Sequence, residues 1–192
     1  SEIKVNKVSP ATGTAITLGD SGDTFTVPSG ATIVNSGTAS GFGGGKVLQV
    51  VSTTKTDAFT STSGTFVDVT GLTASITPSA TSSKVLVLVS ISGGCTSERL
   101  KIGLIENSTL ISAGVASGSR PGVTGDIRGA ASTQHSWSIN HLAEPATTSS
   151  TTYKIQVYTT SGTIGICREG TDANNTSTGR TASSITLLEI GA

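Results

Sequence analysis

Residues 84–92 read Lys84-Val85-Leu86-Val87-Leu88-Val89-Ser90-Ile91-Ser92, and this stretch decides the fold. The alternation of a strand places the three valines and Ile91 on one face and the two leucines on the other. Both faces are apolar, which is typical of a strand that is covered on both sides. The sequence therefore predicts a buried β-strand here.

The chain beyond Lys46 repeats the same theme of a strand followed by a turn cluster. We predict strands near residues 46–54, 65–70, 72–77, 84–92, 98–106, 109–115, 132–142, 151–160, 162–168 and 181–190. In residues 151–160, apolar and polar side chains alternate, which is typical of a sheet with one buried face and one solvent-exposed face. No helical period occurs in this part of the chain. We therefore predict an all-β protein whose main part is an antiparallel β-sandwich.

The composition supports strands and excludes several kinds of partner. The 192 residues include 12 basic and 12 acidic side chains, and only 12% are charged, against about 25% in an average domain. The chain therefore has no excess of basic residues with which to bind a phosphate backbone, and we expect no nucleic-acid partner. The longest apolar run, from Val85 to Val89, is far shorter than the roughly 20 residues of a membrane span. We also expect no membrane partner.

Residues 1–45 differ from the rest of the chain. Short β-rich segments, Ile3 to Val8, Thr14 to Leu18 and Thr24 to Val27, are separated by turn clusters. Such marginal strands need partners, and identical copies of the chain can supply them. Four glycines in residues 41–45 have the composition of a hinge. We predict an N-terminal segment, 1–45, and a separate domain, 46–192.

Two polar segments are the candidate binding loops. Residues 116–130 form the longest stretch with weak strand patterning, and they contain Arg120 and Arg128. The planar forks of arginine suit the carboxylate or sulfate groups of acidic polysaccharide. Residues 169–180 contain Asn174 and Asn175, whose amides can bond sugar hydroxyls. The alternative is that both segments are surface loops without a ligand.

The sequence contains no recognisable catalytic motif. No Gly-x-Ser-x-Gly elbow occurs, and neither cysteine has the context of a nucleophile. A glycosidase could place an acid and a base on loops, but solvated loop charges are the default for the four carboxylates there, Asp126, Glu144, Glu169 and Asp172. We expect no catalytic residues, no cofactor and no enzymatic activity.

The sequence gives weak signals for metal binding and leaves the state of the two cysteines open. His135 and His141 share one face of a strand with Trp137, but they lie roughly 20 Å apart, too far to bind one ion. The default expectation is that the two histidines have a structural role or lie near the three-fold axis of a trimer. Gly19 to Asp23 faintly resembles a calcium loop, with a turn as the default. Cys95 and Cys167 can form one disulfide or remain two buried thiols. We expect no metal.

The chain resembles a family of virion-surface proteins. The segments that carry the resemblance are Lys46 to Val51, Phe66 to Leu72, Ser75 to Pro78, Ser82 to Val87, Ser150 to Gln156 and Ser184 to Ile190. They resemble the C-terminal module of tail-fibre and capsid-fibre proteins of marine bacteriophages. The opening, Ile3 to Asn6 followed by Thr24 to Ala31, is similar to the start of short phage structural proteins.

The order of features in residues 46–192 also resembles the jelly roll of complement-type globular heads and of the tumour necrosis factor superfamily. That resemblance implies a homotrimer. Together the resemblances imply a structural phage protein on the virion exterior, such as a fibre, a decoration protein or a tail appendage. Residues 1–45 would bind other virion proteins, and the head could adsorb to host polysaccharide. The alternative function is an extracellular carbohydrate-binding module that uses Trp137 and Tyr158.

Overall fold

The computed structural model describes residues 8–10, 12–34, 46–97, 99–128 and 133–191. They belong to two compact units that divide between Phe42 and Gly43. The predicted glycine hinge at 41–45 and most of the segment from Ile3 to Val8 lie outside the described residues.

The first unit differs from its prediction. Residues 12–34 contain no strand, although Thr14 to Leu18 and Thr24 to Val27 have strand-like sequences. What is present is a turn in which Asp23 donates its backbone N–H to Asp20 O over 3.0 Å. A strand exists only beside a hydrogen-bonded neighbour, and these segments have none among the residues that the structure describes. The predicted short strands are therefore absent from the described part of the single chain, and their pairing with identical copies stays a prediction.

The second unit contains eleven strands among its described residues. They are β1 (Val47–Lys55), β2 (Phe59–Ser61), β3 (Val67–Ile76), β4 (Lys84–Cys95), β5 (Arg99–Glu106), β6 (Thr109–Ile111), β7 (Gly125–Arg128), β8 (His135–Ala143), β9 (Thr151–Tyr158), β10 (Ile164–Ile166) and β11 (Ser183–Ile190). All described pairings between them are antiparallel. No helix occurs in the described ranges, and so none that could cross a membrane.

The strands form two sheets. In sheet A, the order is β1-β11-β4, and β8 pairs with the other edge of β4. The short strands β10 and β2 continue sheet A past the ends of β11 and β1, because β11 pairs with residues 84–90 of β4 and β10 with residues 93–95. In sheet B, the order is β3-β9-β5, and β5 pairs along its other edge with β6 and β7.

The connectivity is that of a jelly roll. Apart from β2 and β10, the strands in chain order are β1, β3, β4, β5, the β6–β7 pair, β8, β9 and β11. Numbered one to eight, they are adjacent as 1-8-3-6 in sheet A and 2-7-4-5 in sheet B. Such a double Greek key is the eight-stranded jelly roll. The predicted all-β antiparallel sandwich is confirmed.

Several strand boundaries differ from the prediction. The two predicted strands at 65–70 and 72–77 are one strand, β3, whose register shifts between Asp68 and Thr73. Gly71 adopts a φ of 82° in this bulge, a conformation that glycine reaches without strain. The bulge turns both Val69 and Leu72 to the core. The strands β2 and β7 were not predicted, and 109–115 is a strand only at Thr109–Ile111.

The core lies between the two sheets. The inward residues of β4, from Val85 to Ile91, are at most 3% exposed. From sheet B they meet residues such as Leu104 and Tyr153, both fully buried. Truncation of one such aliphatic side chain to alanine costs about 2–5 kcal/mol. This continuous core holds the loops at both ends of the sandwich in place.

Candidate functional site

The two ends of the sandwich carry different features. Lys46 O accepts a hydrogen bond of 2.8 Å from Gly191 N, so the chain enters the second unit beside the last residue of β11. The start of β4 lies at this end, because Lys84 pairs with Ile190. At about 3.3 Å per residue, the 12 residues of β4 lead roughly 36 Å away to the opposite end. Both candidate loops lie at that distal end.

The first candidate loop is largely a hairpin that leads into β7. Ser117 and Arg120 exchange backbone hydrogen bonds of 3.0 and 3.1 Å across a two-residue turn. Lower down, Gly114 N donates to Val123 O, and a Cβ at Gly122 would lie 2.2 Å from Gly114 O. The two arms are packed backbone to backbone. The prediction that residues 116–130 lack strand structure is therefore wrong for the described part.

Thr124 fixes this hairpin to sheet B. Its hydroxyl accepts the N–H of Leu104 at 2.9 Å and donates to Ile111 O at 3.1 Å. Its own N–H donates to Ile102 O. The hairpin is thereby attached to both β5 and β6. Arg120, at the tip, is held at the edge of the sheet.

Between the hairpin and the outer face of sheet B lies a cavity of about 670 Å³. Its lining residues are Arg99, Lys101, Ser119, Arg120, Pro121, Asp126, Tyr158 and Thr160. Sites for small ligands have volumes of roughly 300–1,000 Å³. Three cations and one carboxylate line this cavity, so its walls are positively charged. We call it the basic cavity.

Lys101 is the central cation of the basic cavity. It pairs across the sheet with Tyr158 on one side and with Asp126 on the other. Its ammonium lies 5.1 Å from the centroid of the Tyr158 ring, within the range of a cation–π contact. Lys101 is only 9% exposed, and none of the described residues forms an ion pair with it.

The remaining charges do not neutralise Lys101. Asp126 binds Arg99 instead, with 3.3 Å between Oδ2 and Nη1. Among the described residues, the guanidinium of Arg120 makes two long contacts, both 3.4 Å, to Ser117 O and Ser117 Oγ. Burial raises the pKa of Tyr158, and the Asp126 carboxylate adds to the rise. Tyr158 is therefore an uncharged phenol at neutral pH.

Arg128 does not join Arg120. It lies opposite Arg99 in the pairing of β7 with β5, and the basic cavity is lined without it. Of the two sequence-predicted arginines, the structure thus places Arg120 in the lining of the basic cavity, and Arg128 stays a predicted binding residue. Arg99 and Lys101 take the place that the sequence analysis gave to Arg128. The only sequence signal for them was a lysine between the apolar residues Leu100 and Ile102 of a strand.

The second candidate loop lines a smaller cavity of about 250 Å³. Its charges are balanced. Asp172 lies between Arg168 and Arg180, at 3.4 and 2.6 Å, and Glu169 accepts the N–H of Ala173 at 2.8 Å.

Asn174 and Asn175 both line this second cavity. Asn175 is committed to its own loop, because its Oδ1 accepts hydrogen bonds from Ser177 N and Ser177 Oγ at 2.9 and 2.5 Å. A side chain occupied in this way has less capacity for a sugar hydroxyl. Asn174 and Asn175 stay predicted binding residues.

The four carboxylates that were candidates for catalysis lie in three different places. Asp126 lies in sheet B, whereas Glu144 follows β8 near Lys84, which it binds at 2.7 Å. Glu169 and Asp172 belong to the second cavity. The hydrogen bond from Lys84 holds the pKa of Glu144 below its usual value, which is the opposite of what a general acid requires.

The histidines and Trp137 share a face of β8 with the buried Ile139, and along this face His135 is exposed whereas Trp137 and His141 are half-buried. Trp137 packs against the core and is half-buried. It is not the exposed sugar platform of the alternative function. His135 lies beside it, with ring centroids 5.8 Å apart. The predicted place of the histidines near a three-fold axis stays a prediction.

The cysteines are free thiols in the core. Cys95 is within hydrogen-bonding distance of Thr159 Oγ1 at 3.5 Å. Cys167 donates to Lys55 O at 3.5 Å. Both thiols are fully buried. Of the two alternatives left open by the sequence, the structure has the two buried thiols.

A second surface of the head is apolar. Across the outer face of sheet A, Val50 pairs with Leu188, Leu188 with Leu86, and Leu86 with Leu142. Val50 is 58% exposed and Leu142 is 49% exposed. The exposed Val47 and Leu48 extend this row toward the start of β1. We call these residues the apolar row.

Comparison with known proteins gives no family. No family model and no curated protein matches the chain. Among the solved structures that do match is a chain from infectious bursal disease virus, Gx strain, with 15% identity and a TM-score of 0.37. The match covers 75% of this chain and 37% of that chain. A likeness at this TM-score carries no argument about function, so the resemblance to marine phage fibres stays a prediction.

Proposed function

We propose that this protein is a structural component of a virion, in which residues 46–192 form a trimeric jelly-roll head and residues 1–45 attach it to the particle. The observation that carries the proposal is the apolar row on the outer face of sheet A. A contiguous apolar surface of this kind is typical of a site that another protein covers.

The partner that we propose for the apolar row is the same row in two further copies of the chain. Copies of one chain meet most simply around a symmetry axis. The resemblance to complement-type and tumour necrosis factor heads favours a three-fold axis. Three heads packed in this way expose their distal ends together, on the side away from Lys46.

The proposed attachment role of residues 1–45 has support of its own. The apolar side chains that are exposed in the first unit are Val8, Ile16, Leu18, Phe25, Val27, Ile33 and Val34. A segment of this kind gains stability when its apolar side chains bind another surface. In the proposal, that surface belongs to other virion proteins or to the neighbouring chains of the trimer.

Two measurements test the proposal. Sedimentation equilibrium at micromolar concentration should give three times the chain mass of 19.1 kDa. A stable monomer would contradict it. Residues 46–191 contain their own core, so a chain that begins at Lys46 should fold and trimerise but fail to join particles. If the shortened chain still assembles onto particles, residues 1–45 are not the attachment segment.

The alternative is a monomeric carbohydrate-binding module, and the observation that favours it is the basic cavity. Such a module needs neither the apolar row nor residues 1–45. The two functions are distinguished by mass, because a binding module that works alone remains a monomer. Binding at the cavity is compatible with both, since a displayed head can also adsorb to a host surface.

A further inference from the structure

We infer that the basic cavity binds a sugar unit that carries a sulfate or carboxylate group, as found in acidic polysaccharides. This inference deepens the proposed function, and it rests on that function in so far as the head is the displayed part of the particle. The geometry of the cavity itself does not depend on the number of chains.

The first argument is the unpaired charge of Lys101. A buried ammonium is normally paired with a carboxylate, because desolvation of an isolated charge is costly. Lys101 is 9% exposed, and its cross-strand neighbour Asp126 is engaged by Arg99. The aromatic face of Tyr158 compensates only in part. An oxyanion in the cavity would complete the pairing of Lys101.

The second argument is the position of Arg120. Its guanidinium lines the same cavity from the hairpin side, opposite the β5 strand that carries Lys101. Within the described part of the chain, its hydrogen bonds go to the neutral Ser117, over long distances. An arginine with free N–H groups can bind a carboxylate or sulfate through two parallel hydrogen bonds. Lys101 and Arg120 together therefore provide two cations for one anionic group.

The third argument concerns size and the remaining lining groups. A cavity of about 670 Å³ is much larger than a single inorganic anion and lies within the range of small-molecule sites. Ser119, Thr160 and the phenol of Tyr158 line it beside the cations. These hydroxyl groups can exchange hydrogen bonds with sugar hydroxyls. The second cavity lacks this excess of positive charge because Asp172 and Glu169 balance its arginines.

The test is calorimetric titration of the full chain with three polymers. Dextran sulfate supplies sulfate groups, polygalacturonate supplies carboxylates, and unmodified dextran supplies neither. We expect binding of at least one acidic polymer, weakened by added salt, and none of neutral dextran. The comparison of the two acidic polymers identifies which anionic group the site takes. Equal binding of neutral dextran, or binding of no acidic polymer, would overturn the inference.

Variants locate the binding. Arg120→Gln should weaken it by about tenfold, as expected when one charge-assisted contact is lost. Lys154→Gln is the matched control, because Lys154 also lies on sheet B but is paired with Asp68 at 2.9 Å. It should leave binding unchanged. Equal losses in the two variants would mean general electrostatic attraction and would overturn the site.

Lys101→Met adds a readout that a purely structural lysine would not give. It keeps an apolar stem over Tyr158 but removes the unpaired charge, so it should weaken binding while the melting temperature stays the same or rises. A lower melting temperature with unchanged binding would contradict the inference. If this variant does not fold, Arg120→Gln decides. Sedimentation of the same samples tests the trimer separately, so either proposal can fail alone.

Discussion

The carboxylate of Glu189 binds Ser79 twice, accepting the backbone N–H at 2.7 Å and the hydroxyl at 2.6 Å. Glu189 is 2% exposed and belongs to β11, whereas Ser79 lies in the connection from β3 in sheet B to β4 in sheet A. One buried side chain thus fixes the loop that closes the sandwich at the end where the chain enters. Burial raises the pKa of Glu189, but the hydrogen bonds from Ser79, with a smaller contribution from the Ser83 hydroxyl, together outweigh burial, and the pKa lies below its usual 4.5.

Glu189→Gln should lower the free energy of unfolding at pH 7 by about 1–3 kcal/mol, because a neutral amide oxygen accepts the two hydrogen bonds from Ser79 more weakly than a carboxylate oxygen does. The depressed pKa adds stability that is complete above 4.5 and is lost as the pH falls through the lower, folded value. The variant should therefore lose less stability than the wild type over that acidic range. Urea titrations at pH 7 and in acid measure this.

Glu144→Gln is the control for this prediction. Glu144 is also a carboxylate that accepts a hydrogen bond, in its case from Lys84, but its side chain is 70% exposed. Its replacement should leave the urea midpoint at pH 7 unchanged. If Glu144→Gln and Glu189→Gln have the same effect, the buried contact with Ser79 is not what stabilises the loop.

The double variant Val50→Lys and Leu142→Lys should dissociate the proposed trimer. Two lysines in the apolar row would bring unpaired charges into the contact, and we expect association to weaken at least tenfold, or about 1.4 kcal/mol. Sedimentation across a concentration series measures this. Thr60→Lys adds one such lysine at an exposed position of β2 in sheet A and should stay trimeric. An unchanged mass for the double variant would remove the apolar row from the interface.

Gly122→Ala should reduce binding of the acidic polymer at the basic cavity several-fold. The new Cβ would lie 2.2 Å from Gly114 O, so the arms of the hairpin must separate and Arg120 must move. Gly114→Ala is the matched control, since a Cβ there meets nothing within 4 Å. Calorimetric titration of both variants tests this. Equal binding by both would show that the closed hairpin does not position Arg120.

Cys95 and Cys167 should not react with a thiol reagent until the protein unfolds. Both are fully buried in the core, and a thiol without solvent access is inert. Titration in denaturant should release two thiols per chain, and titration of the native protein almost none. Detection of a Cys95–Cys167 disulfide by mass spectrometry in the purified protein would contradict the structure.

Much of the fold was readable from local patterns. The apolar alternation of residues 84–92 indicated a strand, and β4 is paired on both edges within sheet A. The prediction that both of its faces are covered is wrong for the single chain, because the valine face is buried whereas Leu86 is half-buried and Leu88 is exposed. The alternation in residues 151–160 corresponds to β9, whose inward residues are buried and whose outward residues are partly exposed. These features depend on the two-residue period of a strand, which is a local property of the chain. For the same reason the sequence predicted an all-β sandwich.

The apolar row and the basic cavity depend on the register of the strands, which only the tertiary structure shows. Val50, Leu86, Leu142 and Leu188 are distant in sequence, and only the pairing of four strands places them in one row. The basic cavity likewise needs Lys101 from one strand and Arg120 from a hairpin tip. The sequence identified Arg120 by its residue type and loop, but it paired it with Arg128 rather than Lys101. Residue type and alternation are local properties of the sequence, whereas the neighbours of a residue across a sheet depend on how all the strands pair in the folded protein.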